Sequence, residues 1–162
     1  ADLVLRGGQR RRAPRAGARA VSWLRVRALY LAWLVAVTAT AGSLYFSEVL
    51  GYIPCQLCWF QRVCMYPQAL LLGLASYRDD RRVAGYLMPL SAIGLAIAVF
   101  HYLEQKVPGF GLPGLCQVGV PCSGQYINWW GFVTIPFLAL TAFVLILALL
   151  WLGRRGEADP PA

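Results

Sequence analysis

Four of the five cysteines in this 162-residue chain fall into two pairs, Cys55/Cys58 and Cys116/Cys122. Such pairs form and break disulfides by thiolate attack, and each carries two electrons at a time. A Cys-x-x-Cys pair closes a small ring that is more often reactive than structural. Here it stands in Pro54-Cys55-Gln56-Leu57-Cys58, at the entrance to an apolar stretch. With a helix beginning near Cys58, that sulfur would feel the positive end of the helix dipole, and Arg62 would lie about 40° around the same face. Both effects favour a thiolate at Cys58. The second pair sits among Pro108, Gly109, Gly111, Pro113, Gly114, Gly119 and Pro121, which suit an irregular loop able to swing toward the first. Two disulfides in series can pass electrons from a soluble thiol to an acceptor in a bilayer. The alternatives are a passive staple and a zinc site of four cysteines, which usually shows two tight pairs. No metal site is expected, and haem attachment is disfavoured because Trp59, not histidine, follows Cys58.

Positioning these cysteines requires a membrane. The chain is 59% hydrophobic and 14% charged, too apolar for an ordinary soluble domain. Ala28 to Phe46, Val83 to Phe100 and Trp130 to Leu152 carry no charge, and each is long enough to cross ~30 Å of hydrocarbon. Val63 to Tyr77 is shorter and crosses only by including residues back toward Cys58, which leaves Arg62 at the boundary. The expected fold is all-α, a four-transmembrane-helix bundle with spans at about 28–46, 59–77, 83–103 and 130–152. A basic tail over 1–27 and a short tail over 153–162 flank it. The first ~20 residues and those from Gly156 onward read as disordered.

Eight arginines lie in Ala1 to Arg27, three between Arg78 and Arg82, and two at Arg154-Arg155. Lys106 is the one basic residue of the other two loops besides the boundary Arg62. Positive residues stay in the cytoplasm, so both termini are expected there and both cysteine pairs outside, in a multi-pass protein of the cytoplasmic membrane. The net charge of +8 is accounted for by topology and attraction to anionic lipid, and no nucleic-acid partner is expected. Ala39-Thr40-Ala41 looks like a signal-peptide cleavage site, but the apolar run is longer than a signal core and continues past it. Cys64 lies about 240° around the helix from Cys58 and reads as a packing residue. Gly73, Ala75, Gly94, Ala96 and Ala98 read as helix-packing positions, and Pro67 and Pro136 as kinks within the second and fourth spans.

Pro54-Cys55-Gln56-Leu57-Cys58-Trp59-Phe60-Gln61-Arg62, with Met65-Tyr66-Pro67, resembles the signature of the DsbB family of disulfide bond formation proteins, quinone-linked thiol oxidases of the inner membrane. Pro121 to Phe137 looks most like the BdbC branch of that family. The resemblance covers about Ala28 to Leu152. It implies that Cys116 forms a mixed disulfide with an extracytoplasmic thioredoxin-like, DsbA-like thiol oxidase, and that Cys122 resolves it. Cys55 would exchange with the loop pair, and Cys58 would contact the quinone, ubiquinone or menaquinone. Arg62 matches the family arginine beside the quinone, and His101, the sole histidine, a family histidine placed to donate a hydrogen bond to a quinone oxygen. Better-known members separate the second pair by a longer loop. With five intervening residues here, the docking surface and the order in which Cys116 and Cys122 react stay open. Two rivals are a quinone-linked enzyme of the vitamin K epoxide reductase type, whose Cys-x-x-Cys is expected near the last span, and a non-enzymatic scaffold stapled by disulfides.

Overall fold

Four helices dominate residues 16–111, 116 and 120–158, which the computed structural model describes: α1 (Ala16–Leu44), α2 (Gln56–Arg78), α3 (Val83–Lys106) and α4 (Ile135–Ala158). They form a bundle in which each helix packs mainly on two neighbours, in the cyclic order α1, α2, α3, α4. The pattern that builds it is clearest on α3, whose buried residues are Ala84, Leu87, Ser91, Gly94, Ala98 and His101. Separations of three and four keep these on one face. On α2 the same spacing buries Leu57, Gln61, Cys64, Gln68, Leu72 and Ala75. The remaining faces are apolar too, and Trp59, Val63, Leu70, Tyr77, Ile93 and Leu145 are all exposed. Three segments, Arg27–Val49, Val83–Lys106 and Ile135–Arg154, are long and apolar enough to cross a membrane.

Small residues let the helices approach. Gly73 lies against the Trp33 indole, and a Cβ at Gly94 would fall on the Phe143 ring, itself fully buried. Gly94→Ala is therefore expected to lower unfolding stability in detergent by about 1–3 kcal/mol, the usual cost of overpacking. Gly85→Ala on the same helix, with nothing within 4 Å, should lose nothing. Equal unfolding midpoints for the two variants would contradict this packing. Ala75 and Ala98 are buried as expected, whereas Ala96 faces outward. In the core, Ser91 Oγ donates to Gln68 Oε1 at 2.6 Å and Gln68 Nε2 donates to the Cys64 carbonyl at 2.9 Å. That satisfies the polar groups between α2 and α3.

The helix boundaries depart from the expected spans in informative ways. α1 begins at Ala16, inside the stretch expected to be disordered, and α4 continues to Ala158; residues 1–15 and 159–162 lie outside the described residues. α4 starts at Ile135 and not at Trp130. Trp129 and Val133 instead bridge a tight turn in which Trp130 and Gly131 take φ of 52° and 79°. Pro136 consequently occupies the first turn of α4, where its missing N–H costs nothing and no kink is required. Pro67, by contrast, is inside α2 as expected. Lys106 Nζ donates to Asn128 Oδ1 at 3.1 Å and to the Gly131 carbonyl at 2.7 Å, tying the end of α3 to this turn.

Candidate functional site

α2 begins one residue after Cys55, which takes an extended conformation and caps the helix: its Sγ accepts the Cys58 backbone N–H at 3.4 Å. Cys58 is thus the third residue of the helix, with its Sγ 3.0 Å from that of Cys55. The contacts of the pair favour a thiolate on Cys55, where the sequence suggested Cys58. The hydrogen bond between the two sulfurs holds the Cys55 thiol well below its ordinary range, against the opposing effect of burial. His101 and the Cys58 backbone N–H act in the same direction. A lowered thiol pKa means the thiolate persists as pH falls, so Cys55 should already be ionised near neutrality, where a free thiol with pKa of about 8.5 is not. Ultraviolet thiolate absorbance of the reduced protein, taken as the difference from Cys55→Ser, should still be present at pH 6. A difference signal that grows in only as pH climbs through the ordinary thiol range would contradict the assignment.

His101 is 1% exposed. Its Nε2 lies 3.6 Å from Cys55 Sγ and 3.2 Å from the Cys122 carbonyl, and its Nδ1 lies 3.2 Å from Gln61 Nε2. A carbonyl only accepts, so Nε2 carries the hydrogen and Nδ1 accepts from the Gln61 amide. One imidazole thereby joins the membrane-edge pair to the loop pair. Gln105, one turn beyond His101, donates through Nε2 to the Cys122 and Gly124 carbonyls at 3.4 and 2.9 Å, and its backbone carbonyl accepts from the Gln125 side chain. Cys116 and Cys122 form a disulfide, while Cys55 and Cys58 are free thiols. Cys122 is 1% exposed and packs in one apolar cluster with Cys55 and Leu57, with Cys58 and Cys116 against it. All four paired cysteines are brought together. Cys64 lies apart from them in the core of the bundle.

On the other side of Cys58 a cavity of about 500 Å³ opens between α1, α2 and α4, lined almost entirely by apolar side chains such as Leu34, Phe46, Met65, Ile135 and Leu138. Its polar atoms include those of Cys58, Gln61, Arg62, Ser43 and Tyr66. Arg62 Nη2 donates to the Ser43 carbonyl at 3.1 Å, just before α1 widens into a π-helical turn at Tyr45–Val49. Its guanidinium carbon sits 5.4 Å from the centre of the Trp59 ring, a cation–π distance. Tyr52 and Tyr126, stacked at 4.6 Å, also line the cavity, with Tyr126 Oη donating to the Ile53 carbonyl. Cys58 and Arg62 therefore share the cavity as their spacing implied, but His101 does not line it. His101 faces inward because it continues the buried stripe of α3. Gln61 and Gln105 are the residues that spacing alone passed over. Both extend the buried stripes of their helices toward the cysteines, which is the signal that would have found them.

The family described as disulfide bond formation protein DsbB matches residues 25–153. The chain belongs to this family. It is 57% identical over 135 residues to disulfide bond formation protein C of Bacillus subtilis, covering 82% of this chain and 98% of the relative. A probable disulfide formation protein C 1 of Bacillus anthracis is 52% identical over 119 residues, 74% of this chain and 86% of that one. A probable disulfide formation protein of Coxiella burnetii is 47% identical over 133 residues, 78% and 90% of the two chains. No solved structure matches the chain. Membership in the DsbB family, together with three segments able to cross a bilayer, makes this a membrane protein of disulfide bond formation and its chemistry that of a thiol oxidoreductase.

Proposed function

We propose that this protein reoxidises an extracytoplasmic, thioredoxin-like, DsbA-like thiol oxidase and delivers the electrons to a membrane quinone. The observation that carries the reading is the placement of the membrane-edge pair: Cys55 packs against the loop disulfide at Cys122, and Cys58 lines the apolar cavity beside Arg62. The cavity's volume lies within the ~300–1,000 Å³ range of small-molecule sites, and its one guanidinium among apolar walls suits a ring with polar oxygens and a hydrocarbon tail. A quinone bound there supplies an acceptor for two electrons and two protons.

The residues' own steps follow from exposure and contact. Cys116, the more accessible half of the loop disulfide, is attacked by the partner's thiolate, and the Cys116–Cys122 bond breaks to release the Cys122 thiolate. Cys122, buried beside Cys55, then attacks the Cys55–Cys58 disulfide at Cys55 and releases the Cys58 sulfur toward the cavity. The partner's second thiol frees Cys116, which closes again on Cys122. Cys55 and Cys58 are left reduced and the loop disulfide restored, the bonding this structure has. Net, a partner dithiol becomes a disulfide, and its two electrons and two protons leave through Cys58.

We also assign α2 as a fourth span and place both termini in the cytoplasm and the cysteine pairs outside, in the cytoplasmic membrane. At 23 residues α2 is ~35 Å long. Its Gln61 and Gln68 are buried inside the bundle while Trp59, Phe60, Val63, Leu70 and Leu74 face out. Arg81 and Arg154 line one small pocket away from the cysteines, in keeping with the positive-inside rule for a cytoplasmic face.

The test uses a partner that keeps only its attacking cysteine, mixed with the fully oxidised enzyme. Peptide mapping should find the partner joined to Cys116 and a Cys55–Cys122 disulfide within the chain. A partner joined to Cys122, or no mixed disulfide at all, would overturn this sequence of exchanges.

A further inference from the structure

We propose that the reduced Cys55/Cys58 pair and His101 form a binding site for a thiophilic divalent cation such as Zn²⁺, a site that exists only when the pair is reduced. The zinc site weighed from the sequence was one of four cysteines; the geometry gathers a different donor set. Cys55 Sγ, Cys58 Sγ and one ring nitrogen of His101 all lie within 4.8 Å of one another. The contact from Cys55 Sγ to His101 Nε2 is 3.6 Å. On a tetrahedral zinc with Zn–S of about 2.3 Å and Zn–N of about 2.05 Å, sulfur and nitrogen stand ~3.6 Å apart, so this edge is already set. Two sulfurs on the same ion stand ~3.8 Å apart, whereas Cys55 and Cys58 are at 3.0 Å. A small rotation of Cys58 would open that edge.

The surroundings of His101 independently favour a ligand. Metal-bound histidines are held by a hydrogen bond at the second ring nitrogen, which fixes the ring. Here Nδ1 is held by the Gln61 amide at 3.2 Å, the ring is 1% exposed, and Nε2, 3.6 Å from Cys55 Sγ, would give up its 3.2 Å hydrogen bond to the Cys122 carbonyl to bind a cation. When Nε2 binds a cation, Nδ1 must carry the hydrogen; Gln61 accommodates this by turning its amide over to present oxygen. Three protein ligands and one open position describe a reversible site and not a structural one. Binding displaces the one thiol proton that remains, that of Cys58, and transfers no electrons. It would occupy both sulfurs that must rejoin as a disulfide, and so hold the pair reduced. A disulfide between Cys55 and Cys58 would in turn remove the site.

Two measurements test this, neither of which depends on quinone chemistry or on the partner. Glu104, Cys116 and Cys122 also lie within 4.8 Å of one another, so the first uses full-length protein carrying Cys116→Ala and Cys122→Ala. After reduction with a phosphine under argon, it is titrated with Co²⁺. One Co²⁺ per chain is expected, with the absorption of a tetrahedral site and a sulfur-to-cobalt charge-transfer band. Cys58→Ser should abolish the site, and His101→Asn should weaken it by more than the ~10–100-fold that loss of an outer partner costs. Cys64→Ala should leave binding unchanged. The second takes the wild-type chain, reduced, and maps iodoacetamide labelling by mass: Zn²⁺ should protect Cys55 and Cys58 at least tenfold. Absence of Co²⁺ binding in helical protein, binding indifferent to His101→Asn, or unprotected Cys55 and Cys58 would each overturn the site.

Discussion

Cys58→Ser should lower partner-to-quinone turnover by roughly 10³-fold or more, the scale on which loss of an essential covalent group is felt. Cys58 is the cysteine that lines the apolar cavity; Cys55 is turned toward Cys122 and His101. A serine hydroxyl keeps the shape of the helix entrance but cannot form a disulfide with Cys55, so the pair can no longer store two electrons. The Cys116–Cys122 disulfide remains intact in this variant and should still react once with the reduced partner. The expected signature is therefore a single stoichiometric oxidation of partner with no continuing quinone reduction. Cys64→Ala, altering the thiol buried in the bundle core, should retain turnover. Multiple turnover by Cys58→Ser would mean that electrons leave the protein elsewhere.

Arg62→Met should raise the quinone KM about 10- to 100-fold. A hydrogen bond to a charged group contributes about 1.5–3 kcal/mol, and each 1.4 kcal/mol is tenfold in affinity. The guanidinium is held at the cavity wall by the Ser43 carbonyl and the Trp59 ring. It is thus oriented before any ligand enters, a condition that makes a charge effective in an apolar site. Arg62→Lys should fall between, since an ammonium keeps the charge but loses the planar fork. Arg62 also links α2 to α1, so the unfolding midpoint of each variant is read alongside KM. An unchanged KM for Arg62→Met in stably folded protein would separate this arginine from the ligand.

Much of this site was legible in the residues because its chemistry depends on local spacing. The approach of Cys58 to Arg62 follows from a four-residue separation on one helix, and the packing role of Cys64 from a position around the same helix. What escaped depended on where helices start and how they face one another. Taking α2 to begin near Cys58, two residues after its start at Gln56, put the thiolate on Cys58, because a capping sulfur and a sulfur inside the first turn differ only in backbone conformation. The late start of α4 was hidden by composition: Trp130 to Thr134 is as apolar as the helix that follows, and only the left-handed Trp130 and Gly131 reveal a turn. His101 was assigned to the cofactor by its resemblance to a family histidine near the quinone. Its direction, inward to Cys55 and Cys122, is fixed by the buried stripe of α3.

The central claim is that electrons stored on Cys55 and Cys58 pass directly to a quinone in the adjoining cavity, and a single turnover without any partner tests it most directly. Protein brought by two electrons to the bonding seen here, with the loop disulfide closed and Cys55 and Cys58 reduced, is mixed with one equivalent of quinone under argon. Quinone absorbance and the disulfides formed are then followed together. The account predicts one quinol per chain and a new Cys55–Cys58 disulfide. Unreduced quinone beside persistent Cys55 and Cys58 thiols, in protein whose helices are intact, would contradict it.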